Sequence, residues 1–221
     1  MTNLPTTPGG WKCVVADPPW AFSSNSKAKP GRNAMRHYDV MSLDDIAAMP
    51  VKQIVADDAV LAMWITSPLL VLGAHIPIFR AWGFKPTAMG WTWAKLNKRA
   101  PGLFHTAGDF FMGAGYTTRK NCEFVILGKR GKPGRKSASV RELIVAHVGR
   151  HSEKPDEFYR RVEAYADGPR LELFSRRSRP GWTTWGNEAG KFDDERQEEW
   201  TSTEAATPLI STAASAPPST V

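Results

Sequence analysis

The stretch VVADPPW, residues 14–20, decides the fold and the candidate site of this chain. Three apolar residues that read as the end of a buried strand are followed at once by a carboxylate, two prolines and an indole. The prolines remove two backbone N–H donors and fix two φ angles, and Pro18 favours an extended Asp17. The stretch therefore predicts a stiff turn at a strand end that holds a carboxylate, two prolyl carbonyls and an indole close together. A plain strand-ending turn is the alternative interpretation.

The composition is that of a globular domain with a sizeable core. The chain has 221 residues, of which 42% are hydrophobic and 23% are charged. No apolar run approaches the length of a membrane span, and residues 1–10 lack the basic and apolar regions of a signal peptide. Cys13 and Cys122 lie in apolar, strand-like runs. We therefore expect buried thiols rather than a disulfide, and a cytoplasmic protein without a membrane partner.

The charge is unevenly distributed along the chain. The net charge is +7, yet residues 191–221 carry −4, so residues 1–190 carry +11. A basic body favours a polyanionic partner such as nucleic acid. Residues 191–221 begin with a charged segment and continue as a Ser/Thr/Ala/Pro-rich stretch. We predict one domain over residues 1–190 and a disordered tail over residues 191–221.

Strand-like runs alternate with helix-like stretches over residues 1–190. Strands are predicted at 12–16, 59–66, 87–95, 122–130, 142–147 and 170–175. Helices are predicted from Ser42 as N-cap, at 69–83 with a kink at Pro77, and at 154–167. The alternation predicts an α/β fold, with a parallel or mixed sheet covered by helices on both faces. Ligands of such sheets bind beyond the carboxyl ends of strands, and Asp17 and Phe174 lie at two of these ends.

Asp17 and the carbonyl of Pro18 suit the chemistry of amine methylation. The lone pair of an exocyclic nucleobase amine is delocalised into the ring, so the amine is a poor nucleophile. Acceptors for its two protons hold the nitrogen and favour its pyramidal form, while Trp20 is placed to stack on the base. With an activated methyl donor held in line, positioning supplies much of the rate. Asp17 then serves as an oriented acceptor that stabilises positive charge developing on nitrogen.

Further motifs follow in a fixed order. They include ADPPW (16–20), WTWAK (91–95), KNCEFVILGKRG (120–131), HSEKPDEFY (151–159), LELFSRRSRPGW (171–182) and WGNE (185–188). In this order the chain resembles the MT-A70 family of S-adenosylmethionine-dependent adenine-N6 methyltransferases, in a compact form typical of bacteria or phages. The resemblance implies a Rossmann-like methyltransferase domain and S-adenosylmethionine as cofactor. The catalytic motif precedes the cofactor-binding strand, a permuted order that is similar to that of β-class DNA amino-methyltransferases.

The resemblance also implies roles for individual residues. The methyl-transfer motif is Asp17, Pro18, Pro19 and Trp20, with Asp17 and Pro19 also placed against the cofactor. The other cofactor positions are Lys120, Glu172, Phe174, Arg176, Asn187 and Glu188. Family members that methylate messenger RNA have a longer stretch before the motif, which helps to grip the adenine of the donor. Here twelve residues precede Cys13, so we expect those contacts to come from elsewhere in the chain.

Several of these cofactor positions have a second interpretation. Glu172 could accept hydrogen bonds from ribose hydroxyls, or it could be a structural acid that is hydrogen-bonded within the protein. Phe174 could form a wall of the cofactor pocket or belong to the core. Arg176 and Lys120 suit the carboxylate of the donor or are surface charges. Asn187 can donate and accept toward a ribose or a carboxylate, or it simply forms a turn.

Basic residues that follow strands are predicted to grip phosphates. Loops that leave strand ends can converge around the crevice of an α/β sheet, so several of these residues are expected to contact phosphates. The candidates are Lys95, Lys98, Arg99, Arg119, Lys120, Lys129, Arg130, Lys132, Arg135 and Lys136, with Lys95, Arg119, Lys132, Arg135 and Lys136 as the leading ones. Tyr38 is a second candidate for the base pocket. Exposed solvated loops are the alternative. His147 and His151 lack partners at metal-ligand spacing, so no metal site is expected, and GKRGKPGRKS lacks the spacing of a phosphate-binding loop.

The leading functional prediction is an enzyme that methylates the N6 amine of adenine in DNA. RNA methylation is the alternative within the same chemistry. A non-catalytic nucleic-acid-binding subunit is the alternative from another class, and the intact Asp-Pro-Pro-Trp motif argues against it. A homodimer is one hypothesis for the assembly.

Overall fold

Seven strands form one mixed sheet in the computed structural model, which describes residues 3–21, 40–113, 115, 117–150 and 152–193. The strands are β1 Trp11–Ala16, β2 Val55–Ile65, β3 Lys85–Leu96, β4 Cys122–Arg130, β5 Leu143–His147, β6 Arg170–Leu173 and β7 Thr183–Trp185. Their order across the sheet is β5-β3-β4-β2-β1-β6-β7. Strand β4 runs antiparallel to both of its neighbours, and the other pairings are parallel. The predicted α/β, Rossmann-like class is confirmed.

The α-helices of the described part are α1 Leu43–Ala48, α2 Ser67–Val71, α3 His75–Ala81 and α4 Asp156–Tyr165. Helix α1 begins as predicted, because Ser42 Oγ accepts the N–H of Asp45 at 3.0 Å. The single helix predicted at 69–83 is wrong. Two helices stand there, separated at Gly73, which has a φ of 68°. Pro77 lies in the first turn of α3, where no intrahelical N–H donor is needed. Strand β7 was not predicted, because three residues carry too little pattern.

Both faces of the sheet are covered, as the sequence predicts. Successive strand residues point to opposite faces. On one face Val14 of β1 belongs to the same buried cluster as Ile46 of α1 and the α3 residue Ile78. On the other face Val15 belongs to a cluster with Phe158 of α4. Each large apolar side chain buried in this way contributes about 1.5–3 kcal/mol. No helix of the described residues is long and apolar enough to cross a membrane.

The chain leaves the centre of the sheet in two directions. Strand β1 lies between β2 and β6 and is parallel to both. After β1 the chain leads to β2 on one side of β1, whereas after β6 it leads to β7 on the other side. Such a switch point opens a crevice beyond the carboxyl ends of the strands. Asp17 and Phe174 directly follow these ends, and Asp17 N–H donates to Leu173 O at 3.4 Å.

The two ends of the sheet are distinguished by strand direction. We call the end that holds the C-termini of the six mutually parallel strands the cavity edge, and the opposite end the far edge. Because β4 runs the other way, it begins at the cavity edge with Cys122 and Glu123 and ends at the far edge with Arg130.

Tyr38, the second candidate for the base pocket, lies outside the described residues, as does most of the predicted tail. The boundary at residue 190 stays a prediction.

Candidate active site

The Asp-Pro-Pro-Trp turn is fixed by hydrogen bonds at both of its prolyl carbonyls. Pro18 O accepts the N–H of Trp20 at 2.8 Å, and Pro19 O accepts the N–H of Met41 at 2.9 Å. Trp20 itself is only 4% exposed, and its indole N–H donates to Trp64 O at 3.2 Å. The stiff turn that the sequence predicts is therefore present. Trp20 contributes mainly to the core beneath this turn and also to the cavity wall, and its stacking on a base stays a prediction.

A cavity of about 910 Å³ opens at the cavity edge. Its wall includes the predicted residues Asp17, Pro18, Pro19, Trp20, Lys95, Arg119 and Arg176. It also includes Lys98, another of the predicted basic loop residues, and residues that were not predicted, among them Trp64, Trp93, Phe111, Glu123 and Lys154. The ends of β1, β2 and β3 and the start of β4 thus meet around one space, as expected for a switch point.

A network of opposite charges lines the inner wall of this cavity. Lys154 Nζ lies 2.6 Å from Asp17 Oδ2 and 3.5 Å from Glu123 Oε2. The other Glu123 oxygen pairs with Lys95, whose Nζ lies 4.8 Å from the centre of the Trp93 ring. The Lys154 side chain is only 6% exposed. A buried charge requires such pairing, so two carboxylates and two ammonium groups form one unit.

The network holds Lys154 and Glu123 in their charged forms. Burial opposes the charge of Lys154, but Asp17 and Glu123 outweigh this effect and raise the pKa of Lys154. Burial likewise opposes the charge of Glu123, but Lys154 and Lys95 outweigh it and lower the pKa of this carboxyl. Lys154 and Glu123 are therefore ionised at neutral pH.

Sequence reasoning missed Lys154 and Glu123 as site residues. Glu123 carried one signal, since it is a carboxylate inside the apolar run CEFVIL. Lys154 lies in the HSEKPDEFY motif (151–159), but it was assigned to the start of a predicted helix and not to the site. The structure instead places Lys154 before α4, which begins at Asp156.

Glu172 of β6 is buried, and both of its carboxylate oxygens are engaged. Tyr159 OH donates to Oε1 at 2.6 Å, and Ser175 Oγ donates to Oε2 at 3.1 Å. Burial raises the pKa of Glu172, although these hydroxyls and Arg179 act in the opposite direction. The geometry favours the structural-acid interpretation of this residue, and its ribose contact stays a prediction.

The remaining predicted cofactor residues cluster where β6 and β7 end. Arg176 Nε lies 2.9 Å from Glu188 Oε2. Phe174 has a φ of 64° and packs edge-on against Trp185 at 6.0 Å. Asn187 is exposed beside Glu188. Arg176, Phe174 and Glu188 thus lie close to Asp17 across the switch point, as the motif order implies.

Lys120 lies in the loop that precedes β4, and its contact with the cofactor stays a prediction. Its Nζ donates to Thr118 Oγ1 at 3.0 Å within this loop. Its neighbour Arg119 contributes to the cavity wall.

The basic connector after β4 lies at the far edge, away from the cavity. The N–H of Lys132 donates to Asp58 Oδ1 at 2.6 Å, and Lys136 Nζ donates to Glu163 O at 3.1 Å. Arg135 is exposed between them. Strand β4 is antiparallel, so its C-terminal end and the connector that follows lie at the far edge and not at the crevice. Phosphate binding by Lys132, Arg135 and Lys136 stays a prediction that the cavity does not support.

Possible metal ligands are scattered. Within the described ranges, no group of three or more His, Cys, Asp or Glu side chains is arranged to hold a metal ion. His147 Nε2 lies 3.0 Å from Ala100 O, and His151 is outside the described residues.

Comparison with known proteins agrees with this geometry. A switch-point cavity with a carboxylate-bearing turn after β1 and a cofactor-type strand beside it defines a Rossmann-like, S-adenosylmethionine-dependent methyltransferase. The chain belongs to the MT-A70 family, whose model matches residues 11–188. The resemblance predicted from the motifs is thereby confirmed.

Three relatives illustrate the range of the family. The type II methyltransferase M.MunI of a Mycoplasma species is 29% identical over 196 residues, which cover 80% of this chain and 77% of that protein. The N6-methyladenosine RNA methyltransferase MTA1 of Cryphonectria parasitica is 29% identical, covering 81% of this chain and 52% of MTA1. The human N(6)-adenine-specific methyltransferase METTL4 is also 29% identical, covering 81% of this chain and 37% of METTL4. The chain thus spans about half of the fungal relative and just over a third of the human one.

The residues present fit S-adenosylmethionine. Its methionine end carries an ammonium and a carboxylate, and Asp17 and Lys154 present the two complementary charges 2.6 Å apart. Trp64 Nε1 and Thr66 Oγ1 are buried and make no hydrogen bond to any described residue, although both residues line the cavity. Buried polar atoms need partners, so this wall offers further sites for a polar ligand.

Proposed function

We propose that this protein transfers the methyl group of S-adenosylmethionine to the N6 amine of adenine in DNA. One observation carries the proposal. Asp17 and Pro18 follow a central strand and line one large cavity, with Lys154 bound to one oxygen of the Asp17 carboxylate. Small-molecule sites occupy about 300–1,000 Å³. At about 910 Å³, this cavity suits a donor together with one extruded base.

The cofactor is held by the charges at the switch point. We assign the methionine end to Asp17, Lys154 and Arg176, and the ribose to Asn187 and Glu188. S-adenosylmethionine, when bound, supplies an electrophilic methyl group. The pairing of Lys154 with Glu123 keeps the ammonium charged, so that it is available to the carboxylate of the donor.

Asp17 and Pro18 act on the amine that receives the methyl group. Lys154 takes Asp17 Oδ2, whereas Oδ1 makes no hydrogen bond to the described residues. Pro18 O accepts the N–H of Trp20 and retains a second lone pair. These two acceptors receive the N6 protons and hold the nitrogen lone pair toward the methyl group. The carboxylate stabilises the positive charge that develops on nitrogen.

DNA is proposed over RNA on the basis of chain architecture. The relative that this chain spans most fully among the three described is M.MunI, at 77% of its length. RNA remains the second candidate, because MTA1 is named as an RNA methyltransferase and matches at the same 29% identity. The basic body of the chain suits either polyanion. A homodimer is a hypothesis that sedimentation of the purified protein tests.

A methyl-transfer assay tests the proposal directly. Purified protein is incubated with tritiated S-adenosylmethionine and with DNA or RNA of identical mixed sequence, and the digested nucleosides are separated. We expect label in N6-methyldeoxyadenosine. Label mainly in N6-methyladenosine of RNA would select the second candidate. Binding of the donor without transfer to either polymer would favour a non-catalytic subunit, and label on another base would contradict the adenine assignment.

A further inference from the structure

The loop between β3 and β4 exposes two adjacent large apolar side chains. Leu103 is 76% exposed and Phe104 is 93% exposed. Phe104 also has a φ of 59°, which is unusual for a bulky residue. Single exposed apolar residues are ordinary, whereas contiguous ones at a protruding position mark an interaction surface. We call residues 101–105 the apolar tip.

The apolar tip is held on both sides. On one side the N–H of Ala100 donates to Asn97 O at 3.0 Å, and His147 Nε2 lies 3.0 Å from Ala100 O. On the other side Asp109 Oδ2 accepts from the N–H and the Oγ1 of Thr106 at 2.7 and 2.8 Å. These contacts lie at the two ends of the tip. Hydrogen bonds on both sides of the apolar tip therefore fix the backbone from which Phe104 extends.

The same loop forms part of the cavity wall. Lys98 on one side of the tip contributes to this wall, as do Phe111 and Met112 on the other. Lys98 is five positions from Leu103, a separation that spans at most about 17 Å of extended chain. The tip therefore belongs to the same loop as these cavity-wall residues and lies within about 17 Å of Lys98.

The charge of the loop identifies the partner. Residues 97–121 contain Lys98, Arg99, Arg119 and Lys120 but one acidic side chain, Asp109. The carboxylate of Asp109 is engaged by Thr106. An apolar tip flanked by cations complements a nucleic acid, whose phosphates surround an apolar base stack.

We propose that Leu103 and Phe104 form a wedge that enters the base stack of double-stranded DNA beside the target adenine. An amine inside a duplex cannot reach a recessed acceptor pair, so its base must be extruded. The wedge fills the space that the base leaves. This inference rests on the proposed function and makes it specific, since it assigns a duplex rather than a single strand as the substrate.

Methyl transfer to duplex DNA and to the same DNA after heat denaturation tests the wedge. The variant is Leu103→Ala with Phe104→Ala. Leu143→Ala with Val145→Ala is the control, because those two side chains are also exposed but lie on β5. We expect kcat/KM of the tip variant to fall at least tenfold on the duplex and less than threefold on denatured DNA. The control should change both less than twofold, and Phe104→Leu should retain most duplex activity.

Fluorescence anisotropy with a labelled mixed-sequence duplex gives a second readout that needs no chemistry. The tip variant should bind the duplex several-fold more weakly with an unchanged salt slope, because the tip carries no charge. Equal loss on duplex and denatured DNA, or unchanged transfer and binding, would overturn the wedge. So would a wild-type protein that acts on denatured DNA only, or a tip variant that loses self-association in sedimentation instead of DNA affinity. Absence of transfer to any polymer by the wild type would contradict the proposed function, and anisotropy would still decide the wedge.

Discussion

The two ends of the sheet both carry positive charge, but they hold it in different ways. At the cavity edge, Lys154 is buried between two carboxylates that are distant in sequence. At the far edge, Lys136 is 43% exposed and lies 3.9 Å from Asp167. A buried pair must satisfy its charges in a fixed geometry, whereas an exposed pair contributes about 0–1 kcal/mol. Positive charge alone therefore does not locate the site. A buried cation that is paired with carboxylates does.

Strand direction explains why the two ends differ. The parallel strands deliver their C-terminal residues to the cavity edge, and the antiparallel β4 delivers Glu123 there from its N-terminal end. The same antiparallel run carries the connector with Lys132 and Arg135 to the far edge. The strand order thus brings residues that are distant in sequence together around the cavity. The basic connector after β4 does not contribute to it.

The largest expected effect comes from the carboxylate at the cavity edge. Asp17→Ala should lower kcat by about 10²–10³-fold, since it removes the acceptor that stabilises charge on the amine. Asp17→Asn keeps one acceptor oxygen and should retain more activity. Transfer of tritiated methyl groups to DNA measures both variants. A cooperative urea unfolding transition, with the variant still folded under the assay conditions, separates a chemical loss from misfolding, and near-native turnover of Asp17→Ala would contradict its role.

Lysines at the two edges give the second comparison. Lys154→Met leaves Asp17 and Glu123 without their shared cation and should cost about 2–3 kcal/mol of unfolding free energy, less than a fully buried pair because the carboxylates are partly exposed. Lys136→Met at the far edge is the matched control and should cost under about 0.5 kcal/mol. Urea unfolding at pH 7 measures both changes.

The pH dependence of the Lys154→Met effect has a defined sign. The pKa of Glu123 is lowered, so its contribution is present above its ordinary 4.5 and is lost as pH falls through the folded value. The pKa of Lys154 is raised, so its contribution is present below 10.5 and is lost as pH rises through the folded value. The difference between wild type and Lys154→Met should therefore be largest from about pH 5 to 10. Equal losses of unfolding free energy in Lys154→Met and Lys136→Met would contradict the argument that burial makes the Lys154 pairing stronger.

Local patterns predicted most of the strands and helices, but they did not predict which residues distant in sequence come together. The strand 122–130 and the cap at Ser42 were predicted correctly, because apolar runs and capping side chains act over a few residues. The contact between Lys154 and Asp17 joins positions 137 apart, so no local pattern encodes it. The direction of β4 was also not predictable, because a long loop rather than a tight hairpin turn joins it to β3.

Exposed cations at the two edges should contribute unequally to DNA binding. Lys98→Glu with Arg119→Glu reverses two charges that line the cavity, and we expect roughly tenfold weaker binding and a salt slope reduced by about 2. Lys132→Glu with Arg135→Glu reverses a matched Lys–Arg pair at the far edge and should change affinity less than about threefold through long-range field alone. Anisotropy titrations over a series of salt concentrations measure both pairs. Similar losses of DNA affinity from the two double variants would show that the connector also contacts the nucleic acid.

The smallest expected effect distinguishes two glutamates near the cavity edge, the partly exposed Glu123 and the buried Glu172. Glu123 faces two lysines, whereas Glu172 accepts from the hydroxyls of Tyr159 and Ser175. Burial raises the pKa of Glu172, so its stabilising contribution is present below 4.5 and is lost as pH rises through the folded value. Glu172→Gln keeps an acceptor and does not titrate. It should change stability by no more than about 1 kcal/mol and should gain relative to wild type from pH 5 to pH 8.

Glu123→Gln is the matched variant with the opposite sign. The lowered pKa of Glu123 means that the carboxylate stabilises the fold above pH 4.5. This variant should therefore lose stability relative to wild type as pH rises from 3 to 7, and Glu172→Gln should not. Unfolding free energies in urea at four pH values measure both trends. Parallel trends in the two variants would show that burial alone governs these carboxyls, and the lysines at the cavity edge would then lose their electrostatic role.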